Sequence, residues 1–380
     1  MLVLLVAAAL IAPLARAHLA PFHPGMYGFG GVTGSINYNT DDVVHPLYQL
    51  SKDQWWFHHY NNVDEFPPAD GDFMELPAGG SFQVEIASNR GETSFSFKGK
   101  FATDWPDGKN YPDDYNVETC ITSPNMHTQN QSRAAGTAFA ISYTSDIKKV
   151  TPDNLAVFTV RYHTPWKRIT NYDVPADMPA CPEGGCICAW GWVPNGCGQP
   201  NMYHLPYRCK VTGAKSTTPV GTPKPPVWCE NNPGACTKGP KQMIYWNQAD
   251  GNNIQVDGYD AAGDRKSPAY NAKCGFPDGA QNDIFTGKAS TSSPSGSPSS
   301  GSSSSGSSNS FTNSGSDSNK PVAAGRKKVV TPASSSNSSS PSPSASVEPP
   351  ACKKRSARRA DRRAIHEALA GHRRRSPHTL

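Results

Sequence analysis

The stretch SFQVEIAS (residues 81–88) alternates large apolar with polar side chains, which is the pattern of a half-buried β-strand. Two later stretches, TAFAISYT (137–144) and LAVFTVRYH (155–163), are rich in the β-branched and aromatic residues that strands favour. Clusters of Gly, Pro, Asn and Asp punctuate the sequence between them, and helical periodicity is scarce. The sequence therefore predicts an all-β domain, specifically an immunoglobulin/fibronectin-III-like β-sandwich with long loops and disulfides.

Composition divides the chain of 380 residues into four segments. Residues 1–17 are a short apolar run ending in Ala15-Arg16-Ala17, which is typical of a signal peptide cleaved after Ala17. Residues 18–288 contain every Trp and form the predicted sandwich domain. Residues 289–350 are rich in Ser, Gly and Pro and are predicted to be a disordered linker, followed by a basic tail at 351–380. We therefore expect a secreted, extracellular protein without a transmembrane anchor.

The ten cysteines fit an oxidising compartment, where they indicate a disulfide framework. The Cys-x-Cys at Cys186 and Cys188 resembles part of a zinc site, but no paired Cys-x-x-Cys elements accompany it. We expect the pairs Cys181–Cys186 and Cys188–Cys209. Nine cysteines precede the tail, so either one is free or Cys352 takes a partner.

The net charge of +5 comes from the end of the chain, because the tail alone carries ten Lys and Arg against two acidic residues. The predicted sandwich domain is therefore acidic, and it is not expected to bind nucleic acid, whose phosphates require clustered Lys and Arg. The tail itself has two interpretations. It either forms a basic helix that binds acidic glycans or membrane surfaces, or it is an extension trimmed after Lys354-Arg355.

Cleavage after Ala17 would make His18 the first residue of the mature chain. An N-terminal histidine offers its α-amine and its ring Nδ1 to one metal ion, and a second histidine placed opposite would complete three nitrogen ligands. Nitrogen ligands in a planar arrangement suit Cu(II). A histidine could also follow the cleavage site by chance, so a metal-binding role for His18 needs support from other parts of the sequence.

Four stretches provide that support. They are HLAPFHPGMYGFGG (18–31), QWWFHHYNN (54–62), PNMHTQNQSRAAGTAFAISY (124–143) and CPEGGCICAWGWVPNGCGQPNMYHLPYRCKV (181–211). Together they resemble the lytic polysaccharide monooxygenases of auxiliary activity family 14, over residues 18 to about 285. The resemblance implies one copper ion in a histidine brace on a β-sandwich. It also implies oxidative cleavage of xylan associated with cellulose, using O2 or H2O2 and an external electron donor. We expect a monomer.

The same resemblance implies metal ligands, residue by residue. His18 takes the brace position, and His127 takes the second-histidine position because it lies in a loop just before an alternating strand. The rival histidines for that second position are His58, His59, His163 and His204.

Tyr203, in the pattern NMYHLPYRC, takes the axial position beneath the metal, with Tyr207 as its rival. His163 ends a strand that resembles one in family 9 monooxygenases, where a histidine forms hydrogen bonds beside the copper. The family 9 partner of that histidine is a Gln two residues before the axial Tyr. Here that position is Asn201, and Gln199 lies two residues earlier, so Gln199 is only a candidate for the role.

Two other functions compete with the monooxygenase. One is a copper-binding or copper-delivery protein that uses the same brace without cleaving polysaccharide. The other is a structural cell-wall protein in which His18 binds nothing. A glycoside hydrolase is disfavoured because no pair of carboxylates stands out in the sequence.

Two sequons, at Asn130 and Asn337, predict N-glycosylation. The first lies three residues after His127, so a glycan there would either crowd the proposed metal face or project away from it.

Overall fold

The computed structural model describes residues 18–195, 197–259, 263 and 265–286. The predicted signal peptide, linker and tail therefore lie outside the described residues. The strands are β1 (Ala20–Phe22), β2 (Met74–Pro77), β3 (Ser81–Ala87), β4 (Thr137–Ser142), β5 (Ala156–Arg161), β6 (Ile169–Asp173), β7 (Cys186–Trp192), β8 (Tyr203–Thr212) and β9 (Gly279–Ala280).

Helical structure is limited to short pieces within the described residues. The α-helix α1 (Lys52–Trp55) has only four residues. The 3₁₀ helices are Asp42–Val44, Trp56–Asn61, Val63–Glu65, Arg90–Glu92, Phe97–Gly99, Gln131–Arg133, Ile147–Lys149, Pro152–Asn154, Pro233–Ala235 and Ala272–Cys274. In this part of the chain, no helix is both long and apolar enough to cross a lipid bilayer. The predicted all-β class is confirmed.

The strands form two sheets. The smaller sheet has the order β1-β3-β6 and is antiparallel throughout. The larger has the order β2-β8-β7-β4-β5-β9, in which only β2 and β8 run parallel. β3 begins with alternating exposed and buried residues, whereas β4 is buried along its whole length. Both strands carry the Phe and Ile side chains that suit a packed, pleated surface.

Aromatic rings from the two sheets meet in the core, which makes the architecture a β-sandwich. The Phe139 ring on β4 lies 5.1 Å from the Phe82 ring on β3 and 4.9 Å from the Tyr172 ring on β6. The Tyr207 ring on β8 lies 5.4 Å from Phe139. Burial of each such ring stabilises the fold by about 1.5–3 kcal/mol.

Disulfides cross-link strands and loops among the described residues. The expected pairs Cys181–Cys186 and Cys188–Cys209 are both present. The Cys-x-Cys residues thus belong to two different disulfides, which excludes the zinc interpretation. The other described pairs are Cys120–Cys197 and Cys229–Cys236. Cys274 is buried and free, and Cys352 lies outside the described residues.

Candidate metal centre

The strand pair β1–β3 and the start of β8 position the first two side chains of the site. His18 lies two residues before Ala20, which pairs with Ala87 at the end of β3. Tyr203 is the first residue of β8 and is 2% exposed. The Tyr203 hydroxyl lies 2.8 Å from Nδ1 of His18, so the two atoms that the resemblance assigns to a metal face the same point.

A third side chain, His127, reaches this point from the long loop between β3 and β4. Its ring centroid lies 6.2 Å from that of His18, and the two ring planes differ by 25°. His127 has a φ of 48°, a left-handed conformation that is uncommon outside glycine and clusters at functional sites.

The hydrogen bonds of His127 determine which ring nitrogen is free. Nδ1 lies 3.0 Å from the carbonyl oxygen of Cys197, which can only accept, so Nδ1 carries the proton. Nε2 is buried and has no hydrogen-bond partner among the described residues. A buried imidazole nitrogen with a free lone pair is the form in which histidine binds a metal, and a hydrogen bond to the opposite nitrogen is the usual support.

The loop between β7 and β8 holds His127 in place. The disulfide Cys120–Cys197 joins this loop to the segment that carries His127. Gly198 packs so closely that a Cβ at this position would lie 2.9 Å from Nδ1 of His127. Its φ of +97° also disfavours any side chain. Position 198 therefore requires glycine for two independent reasons.

Trp192, at the end of β7, completes the wall of the site. Its ring stacks on Tyr203 with centroids 4.7 Å apart and meets His127 edge-on at 5.7 Å. Trp192 was not among the predicted site residues. The stretch AWGW looks like ordinary core sequence, and only the register Trp192↔Tyr203 brings the indole to the site.

Burial sets the protonation of these groups. Burial lowers the pKa of His18 to about 4, with smaller contributions from His127 and His45. Burial likewise lowers the pKa of His127 to about 4, against the opposing hydrogen bond to Cys197. Burial also raises the pKa of Tyr203 well above its usual range. At neutral pH the site therefore presents neutral imidazoles and a protonated phenol.

The rival ligands lie elsewhere. Tyr207 donates its hydroxyl proton to the carbonyl of Pro21 at 2.7 Å. His58 and His204 are fully buried, and Phe57 stacks on His204 with centroids 4.8 Å apart. His59 is exposed and contacts Asp64 at 2.9 Å.

The predicted hydrogen-bonding pair, His163 and Gln199, is exposed. His163 is exposed and lines a cavity of about 240 Å³ together with Arg133 and Asn195. Gln199 is exposed on the loop between β7 and β8. Asn201 is fully buried, and neither its amide nitrogen nor its amide oxygen has a partner among the described residues.

Asn130 is half-buried, and its side chain is engaged in hydrogen bonds. The amide nitrogen, which would carry a glycan, donates to the side-chain oxygen of Asn116 at 3.2 Å. The amide oxygen accepts from the Ser132 hydroxyl at 2.8 Å and from the backbone of Arg133 at 3.2 Å. Glycosylation of Asn130 stays a prediction, and Asn337 lies outside the described residues.

The family model and the similar proteins all belong to one family. The family described as lytic polysaccharide monooxygenase AA14 matches residues 1–376. An AA14 family lytic polysaccharide monooxygenase B of Pycnoporus cinnabarinus is 38% identical over 296 residues, which is 74% of this chain and 74% of that protein. A monooxygenase A of Trametes coccinea is 38% identical over 289 residues, 73% of this chain and 63% of that protein. A monooxygenase B of Talaromyces rugulosus is 37% identical over 295 residues, 72% of this chain and 94% of that protein.

Proposed function

Because this chain belongs to the AA14 family of lytic polysaccharide monooxygenases, we propose that it acts outside the cell on xylan associated with cellulose. The mature chain begins at His18 after export and cleavage. His18, His127 and Tyr203 hold one copper ion, and the reaction uses O2 or H2O2 with an external electron donor. Membership of the family shows that the chain is a lytic polysaccharide monooxygenase. We propose in addition its substrate, its export and its copper ligands.

The observation that carries the copper site is the free Nε2 of His127. This nitrogen is buried without a partner, while Nδ1 is occupied by the carbonyl of Cys197. Leaving a buried polar atom unpaired costs about 1–3 kcal/mol. A metal ligated by Nε2 would remove that cost, and the neutral nitrogen donors fit Cu(II).

Copper, when bound, supplies one-electron redox chemistry that no side chain provides. The protein's own groups orient and tune the site. The carbonyl of Cys197 fixes the tautomer and the ring direction of His127. Trp192 stacks on Tyr203 and limits its movement, and burial keeps the phenol protonated. A metal ligated by Nδ1 of His18 would replace that atom's hydrogen bond with Tyr203.

The roles predicted for His163 and Gln199 stay predictions. His163 lies in the cavity beside Arg133, and Gln199 faces solvent. The buried, unpartnered amide of Asn201 lies two residues before Tyr203, the position that the family 9 pattern gives to the hydrogen-bonding Gln. Comparing the oxidation rates of Gln199→Ala and Asn201→Ala variants would decide between the two side chains.

The first experiment tests the metal site separately from catalysis. N-terminal sequencing and mass spectrometry of the secreted protein should give a chain that starts at His18. Titration with Cu(II) should give one tight site with an axial resonance and nitrogen hyperfine splitting. His127→Ala should weaken copper binding by at least tenfold, whereas His59→Ala, an exposed-histidine control, should not. A different N-terminus, or unchanged copper binding in His127→Ala, would contradict the proposal.

The second experiment tests the reaction. Copper-loaded protein should release oxidised oligosaccharides from xylan-coated cellulose only when ascorbate is present, and the metal-free protein should release none. Tight copper binding without oxidised products, across a panel of polysaccharides, would instead support the copper-delivery function.

A further inference from the structure

A surface of exposed apolar side chains surrounds Arg90, and we call it the Arg90 surface. Its members are Ile36, Tyr38, Phe97 and Phe101, with exposed fractions of 69%, 51%, 47% and 48%. Phe97 and Phe101 meet edge-to-face with centroids 5.5 Å apart. Large apolar groups with about half their area in water are unusual in such proximity and mark binding surfaces.

Short contacts join these side chains to Arg90. The guanidinium carbon lies 3.9 Å from the ring centroid of Phe29 and 4.9 Å from that of Tyr38. The next residue, Gly91, is so close to Phe97 that an added Cβ would lie 3.3 Å from its ring. The guanidinium therefore contacts Phe29 and Tyr38 directly, and Phe97 lies beside the backbone of the next residue.

Among the described residues, no carboxylate forms an ion pair with the Arg90 guanidinium. The Arg90 side chain donates to the carbonyl of Phe29 at 3.0 Å. The residue is 6% exposed, and its Nε is buried without an acceptor. Burial lowers the pKa of Arg90, but a guanidinium stays protonated in proteins. A nearly buried cation with free donors is costly unless an anion binds to it.

A cavity of about 430 Å³ gives a ligand access to this cation. Arg90, Phe29 and Tyr38 form part of its wall, and glycines of the Gly30–Gly34 segment also line it. Asp72 also lines the cavity, so the cavity is not uniformly positive. Its volume is within the range of small-ligand sites.

Arg90 and the proposed metal ligand His18 follow from the paired ends of β3 and β1. Ala87 at the end of β3 pairs with Ala20, and the two chains continue in the same direction, to Arg90 and to His18 respectively.

We propose that the Arg90 surface binds a xylan chain through a uronate side group, with the carboxylate on the guanidinium and neighbouring sugars on the aromatic rings. Arg pairs with carboxylates through two parallel hydrogen bonds, and aromatic rings stack on sugar faces. One buried cation within an apolar surface fits a largely neutral chain with occasional acidic branches better than a polyanion. The inference rests on the proposed polysaccharide substrate.

The test measures binding with the full-length, metal-free protein, so that copper chemistry does not enter. The probes are a xylo-oligosaccharide with one glucuronate branch and the same compound with its carboxyl group reduced. We expect calorimetry to give about tenfold tighter binding of the acidic probe, a preference that should fall at high salt. Arg90→Gln should abolish the preference, and Arg90→Lys should retain part of it. Arg161→Gln, which removes a partly exposed arginine on β5, should leave it unchanged.

Several results would overturn the inference. One is equal affinity of the wild-type protein for the two probes, a measurement that does not depend on any variant. Another is a preserved preference in a folded Arg90→Gln variant. If that variant does not fold, Tyr38→Ser, which alters only a half-exposed side chain, should weaken both probes. An unchanged affinity in Tyr38→Ser would contradict the proposed surface.

Two further comparisons complete the design. Tighter binding of galacturonate oligomers than of the branched probe would point to a polyanion and would refute the xylan assignment. Loss of oxidised products with the uronate preference intact would refute only the proposed function. Oxidation without any uronate preference would refute only the Arg90 surface.

Discussion

Replacing His204 by phenylalanine should make the protein more resistant to acid. His204 is fully buried and stacks on Phe57, a contact that a phenylalanine ring can keep. Burial lowers the pKa of His204 to about 3 from its ordinary 6.5, with a smaller contribution from His58. The folded protein therefore holds this ring neutral at pH values where the unfolded chain takes up a proton.

The sign and size follow from proton linkage. A depressed pKa gives stability that is present above pH 6.5 and is lost progressively as the pH falls towards 3. At pH 5 the unfolded chain gains about 2 kcal/mol from protonating this one imidazole. The unfolded His204→Phe chain has no imidazole at this position, so it does not gain this free energy. Its free energy of unfolding should therefore rise by about 2 kcal/mol relative to wild type between pH 7 and pH 5, or roughly 4–8 °C in Tm.

The assay is chemical denaturation of the metal-free protein at pH 7, 6 and 5, with a chelator present throughout. The absolute stability at pH 7 is not the test, because the larger ring can overpack while it removes an unpartnered nitrogen. His163→Gln is the control, because an exposed imidazole stays hydrated in the folded chain. Parallel stability curves for the wild type and His204→Phe between pH 7 and 5 would refute the reasoning.

Two other substitutions test local features. Gly198→Ala should weaken Cu(II) binding at least tenfold in a copper titration, because its Cβ would lie 2.9 Å from Nδ1 of His127. Gly213→Ala controls for backbone strain, because Gly213 also has a positive φ but has open space around it. Glu85→Gln should lower the free energy of unfolding by about 3 kcal/mol in urea titration, because it leaves the largely buried Arg168 without its charged partner, and a loss below 1 kcal/mol would contradict that account.

The sequence alone was enough to identify features that depend on neighbouring residues. Alternation in 81–88 and β-rich composition in 137–163 predicted strands, because side-chain direction along a strand has a period of two. The cleavage pattern before His18 also involves only a few consecutive residues, and the brace role that it suggests for His18 stays a prediction. The disulfides Cys181–Cys186 and Cys188–Cys209 join segments close in the chain, at separations of 5 and 21 residues.

Only the tertiary structure decided which distant groups meet. The Nδ1 proton of His127 is fixed by a carbonyl 70 residues away, and Tyr203 reaches His18 across 185 residues. Arg90 gains its aromatic neighbours from a loop more than fifty residues earlier in the chain. Local patterns carry no information about such contacts, because they arise when sheet pairing and loop closure bring remote segments together in space.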